Sequence, residues 1–124
     1  MFIRFQGKIP LAGTSSREGI FQLAFALCDE PSTPRYAVDE LERNLSWLKT
    51  HLKSPLILEY DENFRAIAWF KPEAEEPLKR IWAIRAMLED FGYHIDVVKS
   101  NNPGNIIYED GWQVIAKPWR NAAW

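Results

Sequence analysis

The amino-acid sequence predicts an α+β domain in which a mixed sheet of four to five strands packs against three helices and ends in a C-terminal antiparallel meander. Three observations lead to this prediction. Three segments carry apolar residues at helical spacing, short segments of strand-like alternation lie around them, and turn dipeptides separate the last strand-like runs. The order of one strand, two helices, one strand, one helix and three strands favours helices on one face of the sheet.

The chain of 124 residues is long enough for one hydrophobic core and too short for two. We therefore predict a single domain at residues 1–118 and a tail at residues 119–124, which follows Pro118 and has no regular period. The tail either docks loosely or inserts its aromatic side chains into a partner. With 47% hydrophobic and 26% charged residues, the composition excludes a disordered or fibrous protein.

The first elements are a strand at residues 2–6, where apolar and polar residues alternate, and a helix that begins near Ser15. Ser15 stands three residues before Glu18, which is the spacing of a capping box. Pro31 marks the end of this helix. The apolar residues of the helix recur at helical spacing and predict its buried face: Ile20, Leu23, Ala24, Leu27 and Cys28.

A second helix is predicted at residues 36–52, because its apolar residues recur every three or four positions: Val38, Leu41, Leu45, Leu48 and Leu52. Trp47 points about 130° away from the centre of this stripe when each residue turns the helix by about 100°. It is therefore either an exposed anchor of an interface or the lid of a second small cluster under a loop.

The middle of the chain predicts two short strands and a third helix. Residues 56–60 and 65–70 are strand-like, and the second segment is apolar on both faces and therefore central in the sheet. The third helix covers residues 73–91, since Gly92 follows its last turn. Its apolar residues form one broad face: Ala74, Leu78, Ile81, Ile84, Leu88 and Phe91.

Arg85 lies inside the apolar face of the third helix and is a candidate ligand-binding residue. Its guanidinium could hold a carboxylate or phosphate of a ligand. Glu89 lies one turn later, however, so the spacing favours a pair within the helix, with the arginine stem extended along apolar surface.

Three strands are predicted after Gly92, and they form the meander: residues 94–99, 105–109 and 112–117. The dipeptide Asp110-Gly111 is the one that two-residue type I′ hairpins prefer. In such a hairpin, Glu109 pairs with Trp112 and Tyr108 with Gln113.

The meander also carries the sharpest polar cluster of the sequence, with four candidate ligand-binding residues: His94, Asp96, Tyr108 and Glu109. His94 and Asp96 are two positions apart on a strand and therefore point to one face. A carboxylate beside an imidazole is a common way to orient a general base. The simpler interpretation, which the sequence favours, is a solvated sheet face.

Charge and composition indicate a cytoplasmic protein without membrane binding, and they disfavour nucleic-acid binding without excluding a local basic patch. Net charge is −2 and the charges are interleaved, so no half of the chain provides the basic field that nucleic-acid binding draws on. The apolar run from Ile20 to Cys28 is far shorter than the roughly 20 residues of a membrane span. The first residues alternate apolar and polar side chains and contain no export signal. A single cysteine is consistent with a reducing compartment.

The sequence contains no motif for a cofactor, a metal or a known catalytic centre. It lacks GxGxxG, GxxxxGK[ST], HExxH and GxSxG. With two histidines and one cysteine, we predict neither a metal site nor a cofactor. Cys28 could act as a nucleophile only with an adjacent base and an exposed thiolate. Its place on an apolar stripe predicts a buried, unreactive thiol instead.

Six tryptophans are the unusual feature of the composition, and three of them are candidate interface residues: Trp47, Trp112 and Trp119. Together with the missing catalytic motifs, they favour a non-catalytic protein-binding or regulatory domain that contacts a protein partner or forms a homodimer. The alternative is a small enzyme or small-molecule-binding domain that uses the face of His94, Asp96, Tyr108 and Glu109. The sequence leaves open whether the protein is an enzyme.

Several stretches of the chain resemble a family of short bacterial proteins: Glu18–Gln22, Ala66–Lys71, Pro103–Asp110 and Gln113–Pro118. The similarity extends over most of the length. No activity is attached to the family, so the resemblance implies a bacterial cytoplasmic protein and transfers no catalytic residue.

Overall fold

The computed structural model describes residues 1–10, 17–53, 65–120 and 122. In chain order, the elements within these ranges are β1 (Phe2–Pro10), β2 (Arg17–Gly19), α1 (Ile20–Asp29), α2 (Arg35–His51), β3 (Ile67–Phe70), α3 (Glu75–Asp90), β4 (Ile95–Ser100), β5 (Asn105–Glu109) and β6 (Gln113–Lys117). No helix in the described part of the chain is long and apolar enough to span a membrane. The predicted strand at residues 56–60 lies outside the described residues.

The sheet is built around β1, which uses both of its edges. Along one edge, β1 pairs with β4, from Phe2 opposite Ser100 to Gly7 opposite Ile95. Its other edge meets β3 near its start and β2 near its end. Since β3 also pairs with β6, and β6 with β5, the strand order is β4-β1-β3-β6-β5, with β2 beside the second half of β1.

Three helices, the sheet and the C-terminal run of strands confirm the predicted α+β class. The pairing differs from a mixed sheet, because every described pair of strands is antiparallel. Strands β3 and β4 flank β1 from opposite sides and run in the same direction, so α3 crosses over β1 to join them. Strands β3 and β4 are therefore parallel to each other, as the two strands of a β-α-β unit are, but they do not pair because β1 lies between them. Within the C-terminal run, β5 and β6 form a hairpin and β4 pairs with β1.

The main core lies between the three helices and one face of the sheet. Its buried residues come from all three helices and from three strands: Phe5, Ile20, Ala24, Leu27, Leu41, Leu45, Leu48, Phe70, Ala74, Leu78, Ile81, Ile84, Leu88 and Ile95. The predicted stripes of the second and third helices are therefore the buried ones. A smaller cluster of Trp69, Val114 and Ala116 lies on the opposite face of the sheet, because side chains alternate along a strand.

The first helix begins later than predicted. Residues Arg17–Gly19 form β2, and α1 starts at Ile20 with Gly19 as its N-cap. The backbone N–H of Gly19 donates to the side-chain oxygen of Gln22 at 3.0 Å, so Gln22 fills the role that the capping-box prediction gave to Glu18. Ser15 lies outside the described residues.

The hairpin between β5 and β6 does not have the predicted register or turn type. Asp110 pairs with Gln113 through a 2.9 Å hydrogen bond from N–H to C=O, so Gly111 and Trp112 form the two-residue loop. Glu109 consequently lies opposite Val114, not Trp112, and Tyr108 opposite Ile115, not Gln113. A type I′ turn needs positive φ at both loop residues, whereas the described residues with positive φ are Gly92 and Gly104.

Asp110 explains the change of turn. Its carboxylate accepts hydrogen bonds from the backbone N–H groups of Trp112 at 2.9 Å and Gln113 at 3.0 Å. This side-chain turn favours aspartate as the first residue of the turn, before the loop, whereas the predicted type I′ turn places it inside the loop.

Candidate functional site

A concave groove of about 680 Å³ lies between α1, α2 and the sheet. Apolar side chains form most of its surface and charged side chains stand at its ends. The lining residues are Phe21, Phe25, Cys28, Asp29, Glu42, Leu45, Ser46, Leu48, Lys49, Leu52, Lys53, Ala68, Gln113 and Ile115. This volume falls within the range of small-molecule and peptide pockets, about 300–1,000 Å³. We refer to it as the α1–α2 groove.

The α1 wall of the groove is apolar because α1 is apolar on nearly all sides. Among its ten residues, Gln22 and Asp29 are the polar ones apart from the thiol of Cys28. One face is buried in the core, through Ile20, Ala24 and Leu27. The residues Phe21, Phe25 and Cys28, at helical spacing, face the groove instead, and Phe25 remains 55% exposed. A helix that is apolar all round belongs in a buried environment, so its outer face is suited to a partner.

The opposite wall and the floor are also largely apolar. Leu45 and Leu52 contribute from α2 and its C-cap, while Ala68 of β3 and Ile115 of β6 form the floor. Gln113 fixes the end of this wall, because its amide donates a 2.8 Å hydrogen bond to the backbone oxygen of Lys53. The floor is a face of two neighbouring strands: β6 is paired with β3 and β5, and β3 is paired with β6 along its length and with β1 at Phe70.

The two ends of the groove carry opposite charges. Asp29 and Glu42 form the acidic end, and Lys49 and Lys53 form the basic end. Burial raises the pKa of the Cys28 thiol, and the negative charges of Glu42 and Asp29 raise it further. Glu42 and Lys49 are seven residues apart on α2, which corresponds to about 10 Å along the helix.

Cys28 is half-buried at the groove and not fully buried as predicted. The reason is that Cys28 lies at the border of the buried face of α1, where it packs against the core and also lines the groove. The raised pKa of the thiol nevertheless disfavours the thiolate that a nucleophile requires.

Trp47 is half-buried and packs against the core under side chains of its own chain. Its ring stacks on His51 with centroids 4.1 Å apart and lies 6.0 Å from the ring of Trp112. The guanidinium of Arg80 lies 5.1 Å from the ring centroid. These contacts are made within its own chain and extend the main core, and the role of Trp47 in an interface stays a prediction. Trp47 and Trp112 therefore stand together, away from the α1–α2 groove.

Arg85 makes the predicted pair with Glu89, at 3.4 Å. Its Nε and Nη2 atoms also donate to the backbone oxygen of Ile95, at 3.2 and 3.1 Å. Within the described residues, β4 is an edge strand paired with β1, and Ile95 is its first residue. Arg85 therefore satisfies a carbonyl of an edge strand, which leaves few of its donors for a ligand.

The predicted polar face does not come together as one site. His94 precedes β4 and Asp96 lies on it, whereas Tyr108 and Glu109 lie on β5 at the opposite edge. Four strand spacings separate the two edges, or about 19 Å. The physical reason is that β4 pairs with β1, so three strands stand between it and β5.

The two residues on β5 have structural partners. Glu109 forms a 2.7 Å ion pair with Lys71. The hydroxyl of Tyr108 donates to the carboxylate of Asp110 at 2.9 Å. That hydrogen bond raises the pKa of Tyr108, and burial and the charge of Asp110 add to the rise. The third interface candidate, Trp119, is 47% exposed and donates its indole N–H to Asn102 at 3.0 Å.

The described residues bring no three histidine, cysteine, aspartate or glutamate side chains together as a metal site. Comparison of the chain with protein-family models, with curated proteins and with solved structures found no match. Function is therefore inferred from the geometry of the groove.

Sequence reasoning did not select the groove residues Phe21 and Phe25. The signal was nonetheless present, because the stretch Ile20–Asp29 contains two polar residues in ten apart from the cysteine. A helix with one buried face needs apolar residues on that face alone, so the additional phenylalanines indicated a second apolar contact.

Proposed function

We propose that the protein is a non-catalytic binding domain that holds an apolar segment of a protein partner in the α1–α2 groove. One observation carries the proposal: Phe25, 55% exposed, stands at the rim of an apolar cavity on a helix that is apolar on its outer side as well as its inner side. Aromatic side chains beside a concave apolar surface are typical anchors of protein interfaces.

The polar groups that could support catalysis favour this proposal over an enzyme. His94 and Asp96 stand at the other edge of the sheet from Tyr108 and Glu109, so the four residues cannot act together on one substrate. Cys28, the thiol at the groove, has a raised pKa. The groove floor carries apolar side chains and the amide of Gln113, which suits binding.

The proposal is tested by measuring association of three chains: the wild type, Phe25→Asp and Tyr36→Asp. Both replaced residues are exposed aromatics on helices, Phe25 at the groove and Tyr36, 66% exposed, outside the groove lining. Each chain is added at equal concentration to an extract of the cells that produce the protein, and its elution volume is measured by size-exclusion chromatography. Purified chains run alone give the reference volume.

We expect the wild type and Tyr36→Asp to elute earlier from the extract than alone, and Phe25→Asp to elute at its reference volume. A charge placed in an apolar interface loses binding, because the carboxylate is desolvated without a partner. Equal elution of all three chains in extract and in buffer contradicts the proposal. So does equal loss of association in both variants, provided that circular dichroism shows both to be folded.

A further inference from the structure

We infer that the occupant of the α1–α2 groove is an amphipathic α-helix with a basic residue at one end of its apolar stripe and an acidic residue at the other. The inference rests on the proposed binding function and specifies its ligand. Three features of the groove carry it: a floor that is a sheet face and not a strand edge, walls with helical spacing, and ends of opposite charge.

The floor excludes an extended peptide. A bound strand gains affinity by hydrogen-bonding to an open sheet edge. The floor is a face of the sheet, where β3 and β6 present side chains and direct their backbone N–H and C=O groups sideways toward neighbouring strands. An extended segment would bury its N–H and C=O groups against Ala68 and Ile115 without partners, at a cost of several hydrogen bonds. A helix satisfies these groups internally and presents side chains alone.

The walls match the surface of a helix. On α2 the apolar lining residues are Leu45, Leu48 and Leu52, spaced by three and four positions. On α1 they are Phe21, Phe25 and Cys28, spaced by four and three. Rows of side chains at this spacing form the ridges and grooves into which the i, i+3, i+4 and i+7 side chains of another helix pack.

The charges at the two ends define the chemistry of the occupant. Asp29 and Glu42 attract a cation at one end, and Lys49 and Lys53 attract an anion at the other. Glu42 and Lys49 lie about two helical turns apart, so the complementary charges on the occupant are separated by about two to three turns. A fatty acid matches this pattern poorly, because it has one charge and its alkyl tail would lie against the acidic end.

The test uses Cys28, the single cysteine of the chain, as a reporter inside the groove. An occupant that covers the groove slows the reaction of the thiol with iodoacetamide, a small uncharged reagent. Three synthetic helical peptides of about four turns share one leucine stripe. The bipolar peptide has lysine at one end and glutamate at the other, and the two uniform peptides have glutamate at both ends or lysine at both ends.

We expect the bipolar peptide to protect Cys28 at a concentration about fivefold lower than either uniform peptide, which is the effect of exchanging one exposed attraction for a repulsion. The variant Glu42→Lys should remove the preference for the bipolar over the acidic peptide, since the new lysine offsets the charge of Asp29 at that end. It should weaken the bipolar peptide and strengthen the acidic one until the two protect Cys28 at similar concentrations. Asp39→Lys is the matched control, because Asp39 lies on the same helix, pairs with Arg35 at 3.1 Å and is not a lining residue.

Several outcomes overturn the inference. Equal responses of Glu42→Lys and Asp39→Lys would show that net charge acts and that the acidic end does not. As a further probe, the fatty-acid anion decanoate is added in place of a peptide. If decanoate protects Cys28 and none of the peptides does, the groove binds a small amphipathic carboxylate and not a helix. If no peptide protects Cys28 while a cell extract does, the helix is wrong and the binding function stands. If neither protects it, the proposed function fails as well.

Discussion

Replacing Trp47 by alanine should lower the stability of the folded chain by about 2–3 kcal/mol. A fully buried tryptophan replaced by alanine costs about 3–5 kcal/mol, and Trp47 is half-buried against the core, so the burial contribution is roughly half of that. The ring contacts with Trp112 and Arg80 add about 0.5–1 kcal/mol together at a partly exposed site. For a chain of this size, the midpoint of thermal unfolding should fall by about 10 °C.

The control is Tyr36→Ala on the same helix. Tyr36 is 66% exposed, so its loss should change stability by less than about 0.5 kcal/mol. Urea unfolding followed by circular dichroism measures both variants against the wild type. A cycle with Arg80→Met isolates the contact between the guanidinium and the ring, with an expected coupling of about 0.5–1 kcal/mol.

The result that refutes this reasoning is a loss for Trp47→Ala no larger than the loss for Tyr36→Ala. The contacts of Trp47 within its own chain would then contribute nothing to the free energy of unfolding. The other prediction for this residue, an exposed anchor of an interface, would be favoured. The elution experiment on Trp47→Ala separates the two cases, because a residue outside the α1–α2 groove should leave association with a partner unchanged.

Three further outcomes are expected. Alkylation of Cys28 should stay slow at neutral pH and increase with a midpoint above that of a free thiol, and Glu42→Gln should lower that midpoint, as the pH dependence of the rate will show. Burial alone would raise the pKa of Asp110, but hydrogen bonds from the turn lower it. The ionised carboxylate therefore stabilises the fold above the unfolded pKa of the group, and this stabilisation is lost as pH falls through the lower folded pKa. In urea titrations, Asp110→Asn should reduce the loss of stability at acid pH, and Asp110→Ala should cost about 1–3 kcal/mol. Gly104→Ala should cost at least about 2 kcal/mol, because φ is +133° and a Cβ atom would overlap the carbonyl of Lys117, whereas Gly111→Ala, with no atom within 4 Å, should be nearly neutral by thermal melting.

The helices and the class of fold could be predicted because they depend on local patterns. The leucine stripe of residues 36–52 has one phase that buries all of its members, and α2 follows it within one residue at each end. The third helix is likewise flanked by Gly92, which has the positive φ of +90° typical of a helix C-terminus. Both the glycine after the helix and the leucine stripe can be recognised from the local sequence, without knowing which distant residues contact them.

The polar face could not be predicted because it depends on strand order. Spacing along the chain places His94 close to Asp96 and Tyr108 next to Glu109, but it does not say which strands of the sheet lie between the two pairs. The crossover of α3 over β1 places β4 at one edge, and the hairpin leaves β5 at the other. Such pairings join residues far apart in sequence, and periodicity within a strand carries no information about them.

The groove was missed for a different reason. Periodicity identifies the face of a helix that enters the core, and Phe25 lies off that face on α1. An additional apolar face on a helix indicates a binding groove only when the neighbouring elements are known. Here those elements are α2 and the sheet. The excess of apolar residues on α1 was visible in the sequence, whereas the cavity beside it was not.

The most direct measurement of the central claim is the rate at which iodoacetamide alkylates Cys28 in an extract of the producing cells, compared with the rate for the purified protein. The control chain carries Cys28→Ser and Tyr36→Cys, which moves the thiol from the groove to the exposed side of α2. If a partner occupies the α1–α2 groove, the extract slows alkylation of Cys28 by severalfold and leaves the control rate unchanged. Equal rates for Cys28 in extract and in buffer would contradict the claim that this groove is where the protein binds.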